Sequence, residues 1–358
     1  MKKTKRSLKK LGTNKRKTAL ITGITGQDGS YLAEFLVEKG YKVYGLMRRV
    51  STDPLINIEQ LHLDKKIELI YGDLRDINSV KRAIDESNPD EIYNLGAQSH
   101  VGVSFKCPEE TFEINYFGLG RVVNEAMKKN PKVRIYQAST SEMFGDTKPP
   151  QNEKSPFRPV SPYAEAKLKA HEDFVVGYRK RHGLFICSGI LFNHESPRRG
   201  KHFVTRKITH SLAKIKLGLQ DHFELGNLDA KRDWGYAKDY VEAMWLMLQQ
   251  ETPQDFVIAT GESRTVREFV EAAAKVLKMK IKWRGKGLKE VALDENGKVI
   301  LRINKKHYRP AEVNYLLGNA SRAEKILGWK PRVNFNQLVE IMVEADLKRS
   351  PIDVFERM

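Results

Sequence analysis

The chain has 358 residues, 40% of them hydrophobic and 30% charged, enough apolar content for one large or two modest packed domains. Its longest unbroken apolar run, residues 243–248, is far short of the roughly 18 residues that a membrane span needs. Two cysteines, Cys107 and Cys187, supply neither a disulfide framework nor a CxxC metal clip, which points to a reducing, cytoplasmic setting.

The net charge of +18 suggests a nucleic-acid partner until it is located. Residues 1–17 hold nine basic residues and no acidic one, half of the excess. No apolar core follows them, so a signal peptide is not expected. The favoured reading is a solvated, disordered tail, with RNA, membrane or partner binding as the alternatives.

Beyond the tail, short apolar runs alternate with longer amphipathic ones. Strands are predicted at 19–22, 42–46, 67–71, 91–95, 133–138 and 185–192, and helices near 29–39, 77–87, 109–129 and 162–181. This β-α-β spacing predicts an α/β fold: a Rossmann-like, doubly wound parallel sheet with helices on both faces. After residue 193 the alternation breaks. Helices are predicted near 203–217, 236–250 and 266–277, and residues 284–306 read as a loop or hairpin insertion with a Glu295-Asn296-Gly297 turn. The expected organisation is a tail (1–17), a dinucleotide-binding domain (18–192) and a smaller, mixed α/β substrate lobe (193–358), interleaved with it.

Ligands of such sheets bind at the carboxyl ends of the strands, so the residues just after each strand matter most. Gly23, Gly26 and Gly29 follow the first strand and open a helix, where glycines allow close approach to a pyrophosphate and the helix terminus offers free N–H groups. An NAD site normally has an acidic residue after the second strand. Here Arg48 and Arg49 stand there, and their forked donors suit a 2′-phosphate, favouring NADP; solvated surface arginines are the alternative. Asp73 and Leu74 after the third strand suit an adenine ring, and Leu95, Ala97 and Ser99 after the fourth line the route to the nicotinamide.

Ser161-Pro162-Tyr163-x-x-x-Lys167 reads as an N-capped helix with Tyr163 and Lys167 one turn apart on one face. The ammonium is expected to lower the phenol pKa and make Tyr163 a base for a substrate hydroxyl. Ser139-Thr140-Ser141-Glu142 closes the fifth strand, and Glu142 adds a second acid/base group beside the nicotinamide, as β-elimination from a transient ketone requires; a solvent-facing turn residue is the alternative. His194-Glu195 is not a zincin start, since position 198 is arginine, and no metal is expected.

The segments GITGQDG, NLGAQSHV, QASTSEMFG, SPYAEAKL, NHESPRRG and LDAKRDWG together resemble the GDP-mannose 4,6-dehydratases, a family within the extended short-chain dehydrogenases/reductases. The resemblance runs from Thr18 to Leu347. It implies Thr140, Glu142 and Tyr163 as catalytic residues, with Lys167 orienting Tyr163 and the cofactor. It implies NADP contacts at Gly23, Ile24, Thr25, Gly26, Gln27, Asp28 and Gly29, at Arg48, Arg49 and Ser51, at Asp73 and Leu74, at Leu95, Ala97 and Ser99, and at Tyr163, Lys167, His194 and Arg199. Substrate contacts would come from Ser99, Thr140, Glu142, Asn193, Lys207, Arg232, Arg309 and Glu312. The implied reaction turns GDP-mannose into GDP-4-keto-6-deoxymannose and water with no net use of cofactor, in a homodimer or homotetramer. Glu110 stands where the family often has a tyrosine, the loop VSTDPLINIEQ departs from some members, and the 284–306 insertion is expected to alter the lobe that grips the sugar. The remaining rivals are dehydration of another GDP-sugar such as a GDP-heptose, a reductase or epimerase of the same fold, and a non-catalytic NADP-binding protein.

Overall fold

The computed structural model describes residues 16–51, 55–59, 61–308, 311 and 313–349. Most of the basic tail, together with Arg309 and Glu312, lies outside them. Fourteen strands are found among the described residues: β1 Thr18–Thr22, β2 Lys42–Met47, β3 Ile67–Tyr71, β4 Glu91–Asn94, β5 Arg134–Thr140, β6 Ile186–Leu191, β7 Asn193–Glu195, β8 Phe223–Leu225, β9 Lys231–Tyr236, β10 Phe256–Ile258, β11 Ser263–Thr265, β12 Lys282–Arg284, β13 Val291–Leu293 and β14 Val299–Ile303. Seven form one parallel sheet in the order β10-β6-β5-β4-β1-β2-β3. Successive strand residues point to opposite faces, so Ile21 joins one apolar layer and Leu20 the other. Helices Gln27–Glu38 and Ala237–Leu248 pack together on the first face, and Ile77–Ser87 and Gly118–Lys129 on the second.

The first six strands and four helices fall where the apolar runs place them, within a few residues. The seventh strand, β10, comes from the second half of the chain and pairs with β6. Only three residues long, it leaves no alternation to read. Local rules set several ends: Asp76 accepts from Asn78 N at 3.0 Å, Asn88 closes that helix at φ 40°, and Ser161 caps the helix Pro162–Ala170 through Ala164 N at 3.2 Å.

Two helices predicted as continuous are each interrupted by a π turn, at Glu113–Phe117 and His171–Val176. The first faces Asn115 inward, where its Nδ2 donates to Gln98 O and its Oδ1 accepts from Gln98 N, both at 3.0 Å. A backbone loop is thereby fixed to a helix.

In the second lobe β9 pairs antiparallel with β11 and parallel with β7, while β12-β13-β14-β8 form a four-stranded sheet. The 284–306 segment is a β13–β14 hairpin: Gly297 adopts φ 82°, and Asp294 Oδ1 accepts from Asn296 N and Lys298 N. Helices Val204–Lys216, Val266–Val276 and Phe335–Arg349 close this lobe around Phe269, Leu338 and Met342. The helices Ser321–Leu327 and Phe335–Arg349 were not anticipated from sequence. Among the described residues no helix is long and apolar enough to cross a membrane.

Candidate active site

A cleft of about 650 Å³ opens at the carboxyl ends of the large sheet. Gly23 begins it at φ 68°, and a Cβ there would stand 2.8 Å from Gly96 N, because the ends of β1 and β4 nearly touch. A Cβ on Gly29 would lie 2.3 Å from Gly23 O, so the helix can start this close to β1 only with glycine. Gly26 precedes the helix in extended conformation with no side chain capping it, leaving the first-turn N–H groups open to an anion. Beneath the cleft a ladder of buried amides ties the strands: Thr22 Oγ1 donates to Asn94 Oδ1 and Asn94 Nδ2 to Gln137 Oε1, both at 2.7 Å.

Of the expected cofactor residues, Gly23, Thr25, Gly26, Gln27, Asp28 and Gly29 line the cleft, with Arg48, Asp73 and Leu74 at one end. Leu95, Ala97, Ser99, Tyr163, Lys167, His194 and Arg199 line the rest. Ile24 is wholly buried against Gly45 instead, which leaves only its backbone for the turn. Arg49 and Ser51 are exposed and outside the lining. Thr140, Glu142 and Asn193 meet in the same cleft. Lys207 and Arg232 do not line it: Lys207 Nζ sits 3.4 Å from His307 Nε2, and Arg232 lies buried on β9 with Nη1 donating to Lys231 O at 3.0 Å.

Tyr163 and Lys167 share a helical face, but their electrostatics differ from the sequence expectation. Burial pushes the Tyr163 phenol up to about 12, and a hydrogen bond with Thr140 only partly offsets this. Lys167 Nζ donates to Ala138 O at 2.9 Å, and burial pushes its own pKa down to about 8. The predicted lowering of the phenol by Lys167 is therefore corrected: desolvation dominates once both groups leave water. Thr140 Oγ1 accepts from Glu142 N at 3.2 Å, which frees its hydroxyl proton for the Tyr163 oxygen. Glu142, on the short turn Ser141–Phe144, is buried at 7% exposure.

The residues after the glycines are tied to β7. His194 Nε2 stands 2.8 Å from Asp28 Oδ2, and its Nδ1 2.7 Å from Phe192 O; Gln27 Nε2 donates to His194 O while its Oε1 accepts from Ser196 Oγ. A ring facing a carbonyl and a carboxylate donates to both only as imidazolium. Burial opposes that charge, yet Asp28 outweighs it and raises the His194 pKa, while Asp28 is lowered in turn despite its burial. The stability that His194 contributes is full below its ordinary value of 6.5 and is lost as pH rises through the higher folded value. The gap in melting temperature between the wild type and His194→Gln should accordingly be widest near pH 6 and narrow towards pH 9. A gap that grows with pH would contradict the ion pair.

Sequence reading missed His100, His202 and Phe203, which also line the cleft, beside Gln98. The His100 and His202 rings lie 5.2 Å apart, and Arg199 sits 3.6 Å over the Phe203 ring. They come from two loops distant in sequence, so no spacing signals their meeting. Among the described residues no three His, Cys, Asp or Glu side chains gather as a metal site would require.

Residues 20–342 match the family model described as GDP-mannose 4,6 dehydratase. The chain is 52% identical over 356 residues to the GDP-mannose 4,6 dehydratase of Drosophila melanogaster, covering 95% of this chain and 89% of that protein. It is 53% identical over 344 residues to the human enzyme of that name, covering 93% and 92%. Among solved structures, UDP-glucose 4-epimerase of Thermotoga maritima with UDP-glucose superposes with a TM-score of 0.77 at 21% identity over 93% of this chain and 99% of that one. RMD from Pseudomonas aeruginosa complexed with NADPH gives 0.73 at 22% identity, over the same shares. UDP-glucose 4-epimerase of Thermus thermophilus in complex with NAD gives 0.75 at 25%, over 92% and 98%. The epimerase and RMD likenesses establish the α/β fold, and the sequence matches decide the rest: the chain belongs to the GDP-mannose 4,6-dehydratase family, hydro-lyases of nucleotide sugars.

Proposed function

We propose that the cleft binds NADP and that the protein converts GDP-mannose into GDP-4-keto-6-deoxymannose and water. The observation that carries this reading is the convergence of Thr140, Glu142, Tyr163 and Lys167 on the cleft that the glycine turn opens. The residues present fit a dinucleotide. Gly23, Gly26 and the bare helix terminus leave room for a pyrophosphate, and Arg48 reaches the lining beside Asp73. Lys167 suits a ribose, with its ammonium already held at Ala138 O.

When bound, an oxidised nicotinamide supplies a hydride acceptor that returns the hydride within the same turnover, and a positive charge beside the phenol. Tyr163 takes the proton from the sugar O4 as the C4 hydrogen leaves as hydride, and Thr140 holds that oxygen. The resulting ketone acidifies the neighbouring C5–H. Glu142 takes the C5 proton and passes it to the C6 hydroxyl, which leaves as water. The hydride comes back to C6 as Tyr163 returns its proton to C5. One water is lost and no base remains protonated at the end.

The test incubates purified protein with NADP+ and a panel of GDP-sugars, including GDP-mannose and a GDP-manno-heptose, and weighs the products. Loss of one water from GDP-mannose without accumulating reduced cofactor is the expected result. Unchanged mass would mean an epimerase, stoichiometric consumption of cofactor a reductase or dehydrogenase, and no turnover of any sugar a binding protein. The choice of cofactor has its own check. Arg48→Ala should weaken NADP+ roughly ten- to a hundredfold, the loss of a charge-assisted bond to phosphate, and leave NAD+ nearly unchanged. Equal effects on both would remove Arg48 from the 2′-phosphate site.

A further inference from the structure

The loop 196–203 brings Arg199, His202 and Phe203 into the cleft, yet its backbone is held from the far side of the second lobe. Arg206, on the helix Val204–Lys216, and Asp346, on the helix Phe335–Arg349, are 3% and 0% exposed. Arg206 Nε lies 2.9 Å from both carboxylate oxygens of Asp346, and its Nη2 2.5 Å from Oδ1. Thr209 Oγ1 donates to Asp346 Oδ2 at 2.7 Å. The remaining arm of the guanidinium points the other way. Arg206 Nη1 donates to Arg199 O at 3.1 Å and to Pro197 O, and Arg349 Nη1 also reaches Pro197 O at 2.7 Å.

One guanidinium thus spans a carboxylate and two loop carbonyls. Burying a charge demands a partner, and Asp346 supplies it; planarity then fixes where the third arm must point. The side chain of Arg199 is guided in turn by Glu195 Oε2, 3.1 Å from its Nε, and by the Phe203 ring. If Arg199 O moves, the guanidinium in the cleft moves with it.

We propose that Arg206 and Asp346 are a positioning pair that sets the loop 196–203 for the dinucleotide, so that the last turns of the helix Phe335–Arg349 govern cofactor affinity. The proposal rests on the reading of the cleft as an NADP site. Its distinguishing feature is that the two carbonyl bonds, not the buried ion pair as such, carry the effect.

Two variants separate those roles. Arg206→Lys keeps the charge opposite Asp346, but an ammonium cannot reach the carboxylate and both carbonyls together. The double variant R206M/D346L replaces the pair by apolar side chains, an exchange that buried ion pairs often tolerate, and leaves Arg199 O without its donor. In each folded variant, trypsin cleavage after Arg198, Arg199 or Lys201 in the cofactor-free protein should become at least several-fold faster. Titration should show NADP+ binding weakened roughly tenfold, with kcat at saturating cofactor close to wild type, since a displaced loop costs binding before chemistry. A folded variant with wild-type loop cleavage and wild-type NADP+ affinity overturns the proposal. So does failure of both variants to fold, because the pair then serves the fold as a whole. Should wild-type protein not bind NADP+, the functional reading fails, while the cleavage rates still decide whether Arg206 holds the loop.

Discussion

Tyr163→Phe should lower kcat roughly a thousandfold, the usual scale for removing a general base, and leave cofactor binding nearly intact. In the proposed reading the dinucleotide meets the glycine turn and Arg48, which line the cleft and do not depend on the phenol. The fold should hardly register the change, since one hydroxyl bonded to Thr140 contributes about 1 kcal/mol. The wild-type pH profile sharpens the test. With the phenol at about 12 in the cofactor-free protein, Tyr163 is protonated near neutrality, so kcat/KM should climb from pH 6 to pH 8. That climb should disappear from the residual activity of the variant. Wild-type turnover by Tyr163→Phe, or an unchanged climb, would strip Tyr163 of its assigned role.

Glu142→Gln should block water loss on a similar scale of roughly a thousandfold and spare nucleotide binding. The amide keeps the size of the buried side chain, and the backbone bond to Thr140 is untouched, so the turn Ser141–Phe144 should persist. What an amide cannot do is accept the C5 proton. In heavy water the wild type should place deuterium at C5 of the product, whereas the variant should leave the sugar unexchanged there. Mass spectrometry and proton spectra read both. Full dehydration by the variant, or rapid exchange at C5, would assign the base elsewhere. The two variants differ in kind, since Tyr163→Phe stops the cycle at O4 and Glu142→Gln stops it one carbon later.

Much of this site could be read from local sequence because its constraints are local. The glycine spacing follows from how closely a helix can start beside β1, and Gly23 and Gly29 show that closeness in the clashes a Cβ would meet. Ser161 and Pro162 announce a helix start through rules that involve four residues. Parallel strands buried on both faces appear as apolar runs, which is why β1 to β6 were legible while the three-residue β10 was not. The π turns left no trace in the periodicity, although one of them fixes Gln98 beside the cleft.

The chain's own order of residues settled the parallel sheet, the glycine turn, Arg48 in place of an acidic residue, and Tyr163 one turn before Lys167. Folding alone decided the electrostatics: Asp28 meets His194 across 166 positions of sequence, Lys167 spends its ammonium on Ala138 O, and Arg206 finds Asp346 140 positions further along the chain. The reason is physical. Spacing along a chain sets which groups can share a face, but a group's charge depends on how much water it loses and which distant partner replaces that water, and both are set by packing.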